Sequence, residues 1–155
     1  MSNLKPLIAL LAQTERQRDL ALADQMKAHA AAEAAQTQAE QLLAYRREYE
    51  QRWSAQFCRE GRIELVRCYQ GFIERLSQAV EQQARSAHAA KAQLERAMTL
   101  TRDLEIKLAA VRRVVEQRLA DKHREVQRDD QKQTDELAAR VTWNRFARRG
   151  QPTLT

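Results

Sequence analysis

Glycine and proline are nearly missing from this chain. Three glycines (Gly61, Gly71, Gly150) and two prolines (Pro6, Pro152) occur in 155 residues, and both prolines sit near an end. Almost nothing between Pro6 and Gly150 would therefore interrupt a helix. Aromatic residues are scarce at 5%, and a mean hydropathy of −0.72 leaves too little apolar mass for a multilayer core. No run of 18 or more apolar residues exists, which argues against a transmembrane helix. The longest apolar run near the N-terminus, Leu7 to Ala12, has no small-residue cleavage site behind it and does not read as a secretory signal. Two cysteines, Cys58 and Cys68, cannot make a disulfide framework. They are expected as reduced, partly buried thiols in a cytoplasmic protein.

What is abundant points one way. Ala, Gln, Glu, Arg and Leu dominate, all residues that lose little freedom in a helix. Charged residues make up 31%, a composition typical of long helices and coiled coils. The net charge of +6 lies wholly in the second part: residues 1–60 carry 8 basic and 8 acidic side chains, and residues 61–155 carry 19 and 13.

The strongest signal is a sevenfold repeat. From Val66 it runs Val66, Ile73, Val80, Ala87, Leu94, Thr101, Leu108, Val115. A companion offset by three runs Tyr69, Leu76, Gln83, Ala90, Ala97, Leu104, Val111, Arg118. These are a and d positions of a coiled coil. The first half holds a weaker version: Leu4, Leu11, Arg18, Gln25, Ala32, Ala39, Arg46, Trp53, with Leu7, Thr14, Ala21, Ala28, Ala35, Leu42, Tyr49, Gln56. Alanine fills much of this seam, allowing close approach but burying little area per residue. After Val115 the apolar stripe moves to Leu119 and Val126, so the seam ends or changes partner there.

The two halves break at Phe57 to Arg62, where Gly61 is the one glycine able to end a helix, in a left-handed cap, without disturbing the repeat. Folding back there pairs positions whose numbers add to roughly 121. Ala28 then faces Leu94 and Ala35 the Ala87 region mid-seam, while large apolar residues meet towards both ends, Leu42 facing Val80 and Leu11 facing Val111. The expected fold is all-α: a long antiparallel two-helix coiled-coil hairpin with an extended second helix. It forms a single domain over 1–155, with helices at about 4–57 and 63–148 and a turn at about 58–62. Asn3 would cap the first helix and Gly150-Pro152 would stop the second. Exposed pairs such as Glu48/Arg52, Glu81/Arg85, Asp103/Lys107 and Glu136/Arg140 are spaced i, i+4 for weak ion pairing. At 1.5 Å per residue the arms would span about 80 and about 130 Å. Some thirty residues, Arg118 to Arg148, are thus left without a partner in this chain, and an isolated helix gains stability from packing.

Nothing catalytic emerges. His29, His88 and His123 are dispersed; His29 and His88 would approach one another, but no cysteine or carboxylate cluster completes a metal set. There is no phosphate-binding glycine loop and no nucleophile elbow. No cofactor, metal or enzymatic activity is expected. Near the turn, Gln38, Leu42, Tyr45 and Tyr49 share one end of the hairpin with Phe72, Leu76 and Ala79. Leu42, Tyr49 and Leu76 belong to the seam, whereas Tyr45 and Phe72 fall just off it and suit a partner. At the other end Arg140, Arg145, Arg148 and Arg149 interleave with Trp143 and Phe146. That mix suits nucleic acid, an anionic membrane or an acidic groove, or is simply a solvated tail. Asp129, Asp130, Asp135 and Glu136 just before it weaken a phosphate-tracking surface.

Three short motifs resemble the FliJ family of flagellar type III export proteins. They are Gln41-Leu42-Leu43, Tyr45 and Glu48-Tyr49 on the first arm; Tyr69-Gln70, Phe72-Ile73, Leu76, Ala79-Val80 and Gln82 on the return; and Asp130-Gln131-Lys132, Asp135-Glu136, Ala138 and Arg140 near the end. The resemblance implies a stalk-like, non-enzymatic component of the export apparatus in flagellar motility, cytoplasmic and peripheral to the inner membrane, and monomeric alone. Its implied partners are a hexameric export ATPase (FliI-like), an export-gate membrane protein (FlhA-like) and export chaperones. The gate surface would comprise Gln38, Leu42, Tyr45, Tyr49, Phe72, Leu76 and Ala79. Gln83 stands where some relatives carry histidine, which puts one polar contact in doubt. The ring-facing residues implied are Arg118, Lys122, Arg124, Arg128, Lys132 and Arg140. The alternatives are the stalk of a virulence secretion system, a generic dimeric coiled-coil scaffold, or a nucleic-acid or anionic-surface binder using the basic end.

Overall fold

A computed structural model of the chain describes residues 4–59 and 61–150. It contains two helices, α1 (Leu4–Phe57) and α2 (Ile63–Arg149), and no strand among the described residues. They pack as an all-α helical hairpin, as the heptads require. Asn3 and Pro152 lie outside the described residues. Pro6 falls in the first turn of α1, where its missing N–H removes no helical bond. Glu64 in the first turn of α2 and Arg148 and Arg149 in its last oppose the end charges of the helix dipole.

The seam follows the repeat closely. In the first half every a and d residue from Leu4 to Trp53 is buried or half-buried, and only Gln56 is exposed. In the second half the same holds from Val66 to Val115, with Arg118 exposed. Two compact units divide the chain: Thr14–Lys107, and the residues before Thr14 together with those from Leu108 onward.

In the unit Thr14–Lys107 the core is thin and rich in small residues. Ala21, Leu76, Ala87, Thr14 and Thr101 are buried. The Thr101 hydroxyl donates to the Ala97 carbonyl at 3.0 Å, so this seam position carries no unsatisfied polar atom. Register is fixed by direct cross-helix contacts. Gln83 Nε2 donates to Gln38 Oε1 at 3.1 Å, and the Tyr49 and Phe72 rings lie 4.4 Å apart. Both pairs match the pairing rule read from the heptads. In the other unit Leu108 and Val115 are buried while Leu4, Leu7, Leu11 and Val111 are half-buried. Every described residue after Val115 is exposed.

The turn differs from expectation. No described glycine has a positive φ, so Gly61 is not a left-handed cap. Instead α1 closes by tightening: Cys58 N–H donates to the Ser54 carbonyl at 3.3 Å and Arg59 N–H to the Gln56 carbonyl at 3.0 Å. The shorter second bond supplies a carbonyl partner without a left-handed residue. A Cβ built on Gly61 would meet nothing within 4 Å. Gly61→Ala is therefore expected to leave the thermal midpoint unchanged or raise it, by about 0.4–1 kcal/mol of reduced unfolded-state freedom. Thermal melting followed by circular dichroism checks this, and a clear loss would restore the left-handed cap.

Candidate partner-binding surfaces

Near the turn the seam widens. Leu65, Phe72 and Ala79 step by seven one place before the a series of α2, and all three are half-buried. Gln38 and Tyr45 hold the equivalent g positions on α1. In an antiparallel pair the g positions of both helices flank the same side of the seam. Gln38, Tyr45, Phe72 and Ala79 therefore share one side, beside the seam residues Leu42, Tyr49 and Leu76.

The side chains agree with this placement. Leu76 is buried, Leu42, Tyr49, Phe72 and Ala79 are half-buried, and Gln38 is exposed. Tyr45 is 47% exposed and its ring lies 6.2 Å from that of Tyr49. A shallow groove beside them is lined by Gln38, Gln41, Leu42, Tyr45 and Gln83. Gln83 keeps a polar contact at this position through its bond to Gln38. Phe72 is less free than expected, because it packs on Tyr49 and serves the hairpin as well as its surface.

Three more aromatic residues join this cluster that were read from sequence only as separate positions. Tyr49 stacks on Tyr69 at 6.1 Å, Trp53 lies 5.8 Å from Tyr69, and Phe57 meets Tyr69 edge-on at 5.1 Å. The signal was available: Tyr45, Tyr49, Trp53 and Phe57 recur every fourth residue, which keeps them on one stripe of a helix. Burial pushes the Tyr69 phenol above its ordinary pKa. The Glu50 carboxylate and Tyr49 add to that, and Arg46 opposes them. Ion pairs flank the stripe at Arg46–Glu50 (3.3 Å) and at the expected Glu48–Arg52 pair (2.7 Å).

The second candidate surface is the exposed part of α2. Arg118, Lys122, Arg124, Arg128, Lys132 and Arg140 are all exposed there. They form one broad arc, not a single row. At 100° per residue, Arg118, Lys122 and Arg140 fall within about 40° of one another. Lys132, Arg128 and Arg124 continue from Arg118 in steps of about 40°, so the six cover roughly 160° of the helix. Arg118 and Lys122 border a groove with Leu4, Val126 and the acids Asp121, Glu125 and Asp129. Arg124 reaches Asp121 at 4.0 Å. Leu119, Val126, Leu137 and Val141 are exposed along one further stripe.

His29 pairs with Glu33 at 3.0 Å, and His123 bonds Gln127 at 3.2 Å. Among the described residues no group of three or more His, Cys, Asp or Glu is placed to hold a metal. Cys58 and Cys68 are free and both exposed, not partly buried, because neither holds a seam position. No described helix is long and apolar enough to cross a membrane.

Comparisons with curated proteins and with solved structures return no significant match. A family model does match, described as flagellar FliJ protein, over residues 3–147. That span takes in the seam, the turn, the aromatic side and most of the exposed end of α2, so the chain belongs to the FliJ family and is a component of flagellar type III export.

Proposed function

We propose that this chain is a non-enzymatic stalk that couples the export ATPase to the export gate, using two different surfaces. The observation that carries this reading is the abrupt end of burial at Val115. The helix beyond it, from Arg118 to Val141, exposes a leucine and valine stripe and a broad arc of cations. A helix left bare on all sides suits an occupant that surrounds it, and a hexameric ATPase ring (FliI-like) does so. The spread of Arg118, Lys122, Arg124, Arg128, Lys132 and Arg140 over roughly 160° of the helix fits contacts from several subunits at once.

The side bearing Gln38, Leu42, Tyr45, Tyr49, Phe72, Leu76 and Ala79 is the surface for the gate protein (FlhA-like). An aromatic set around a half-open groove is the usual composition of an interface centre. Export chaperones are further partners in this reading. The chain works in the cytoplasm, held at the inner membrane through its protein partners.

The test is ATP hydrolysis by the export ATPase of the same organism, with the full chain and with a chain ending before Arg118. Stimulation and ring assembly by the full chain, lost on truncation, is the expected result. Equal stimulation by the truncated chain would remove the overhang from the ring.

A further inference from the structure

The last turns of α2 carry a second amphipathic arrangement. Ala139, Trp143, Phe146 and Ala147 follow the i, i+4, i+7, i+8 spacing and fall within about 100° of one another on the helix. Leu137 and Val141 lie on the other side, in line with Leu119 and Val126, so this face is separate from the stripe proposed for the ring. Trp143 is 71% exposed and Phe146 is 74% exposed.

The charge is one-sided as well. From Leu137 to Gly150 there are four arginines (Arg140, Arg145, Arg148, Arg149) and no acid. Arg140 and Arg149 flank the aromatic face, while Arg145 and Arg148 lie across from it. Arg148 and Arg149 also suit the helix C-terminus. Dipole compensation, however, accounts for neither Arg145 nor the two bare aromatic rings.

We propose that this end of α2 binds an anionic lipid surface, with Trp143 and Phe146 set into the headgroup boundary and the arginines on the phosphates. Aromatic rings on one face and arginines around the rest are the composition of an interfacial helix. The indole is amphipathic and favours that depth. Charge separation decides between occupants. The last acid, Glu136, lies seven residues before Trp143, about 10 Å along the axis, or roughly one Debye length at physiological salt. A membrane meeting the end of the helix is largely screened from Asp129, Asp130, Asp135 and Glu136. A nucleic acid tracking along the helix from Trp143 would meet them after seven residues.

The test uses the full chain with Trp53→Phe, so that Trp143 alone reports. It is titrated with vesicles of phosphatidylcholine, and with the same vesicles containing one-third phosphatidylglycerol. The expected result is a blue-shifted emission and co-flotation with the anionic vesicles only. Trp143→Ala with Phe146→Ala, followed by flotation alone, should weaken binding at least tenfold. Arg145→Gln, Arg148→Gln and Arg149→Gln together should weaken it about a hundredfold, at roughly fivefold per arginine. These positions are exposed in the last turns of α2, and circular dichroism should show both variants as helical as the parent. Equal binding to neutral vesicles, no binding to either, or binding untouched by these substitutions would overturn the proposal. Tighter binding of a single-stranded oligonucleotide than of anionic vesicles at the same salt would replace it with a nucleic-acid site.

Discussion

Leu108→Ala is expected to destabilise the hairpin by about 2–4 kcal/mol, a large part of the stability of a chain with so thin a core. Leu108 is 2% exposed, one of the two most deeply buried side chains described. Its removal deletes buried methyl groups that the neighbouring helix cannot follow. The lower part of the range for buried leucine applies, because alanine is the better helix former and a gap in a two-helix seam opens readily to water. Urea unfolding followed at the helical band measures the change. Val126→Ala is the control: Val126 is exposed, and its loss should move the midpoint little. Equal effects at the two positions would mean that the seam does not end at Val115.

The second large effect concerns the aromatic side. Tyr45→Ala should weaken gate binding by about thirtyfold or more, the scale of an interface hot spot, with the melting midpoint nearly unchanged. Tyr45 projects from the seam and leans on Tyr49 only at 6.2 Å. Phe72→Ala should weaken both binding and folding, since Phe72 lies 4.4 Å from Tyr49 across the seam. Trp53→Ala should lower the midpoint and leave gate affinity nearly intact, because Trp53 faces Tyr69 and Phe57 within the cluster. Titration calorimetry against the purified gate domain, beside thermal melts, separates the three. A Tyr45→Ala chain that binds as the parent does would move the gate surface elsewhere.

Much of this architecture is legible in the residues themselves. A heptad constrains where each side chain faces, so Val66 to Val115 identified their own buried face, and the alanines of both halves match in an antiparallel pairing. The Gln38–Gln83 bond and the Tyr49–Phe72 contact show that register in the structure. Features that depend on backbone detail were less visible. A glycine between helices suggests a left-handed cap, yet Arg59 N–H reaches Gln56 and makes one unnecessary. The exposure of Cys58 and Cys68 likewise follows from their positions outside the seam, not from their residue type.

The candidate sites divide in the same way. Gln38, Tyr45, Phe72 and Ala79, proposed for the gate, fall on one side of the hairpin because g positions of antiparallel helices do so, although Tyr69, Trp53 and Phe57 were not grouped with them beforehand. The cations from Arg118 to Arg140 were read as one set, and helix geometry spreads them over a broad arc of roughly 160°. Sequence order says little about azimuth when no apolar seam fixes a reference face.

Hydrogen exchange on the full chain, alone and with the export ATPase, tests the central claim most directly. Alone, the amides of the seam within Thr14–Lys107 should exchange slowly and those beyond Val115 quickly, since only the former are packed. With the ATPase present, new protection should appear between Arg118 and Arg140. Protection gained only around the turn, or none beyond Val115 in a chain shown to be bound, would contradict the account.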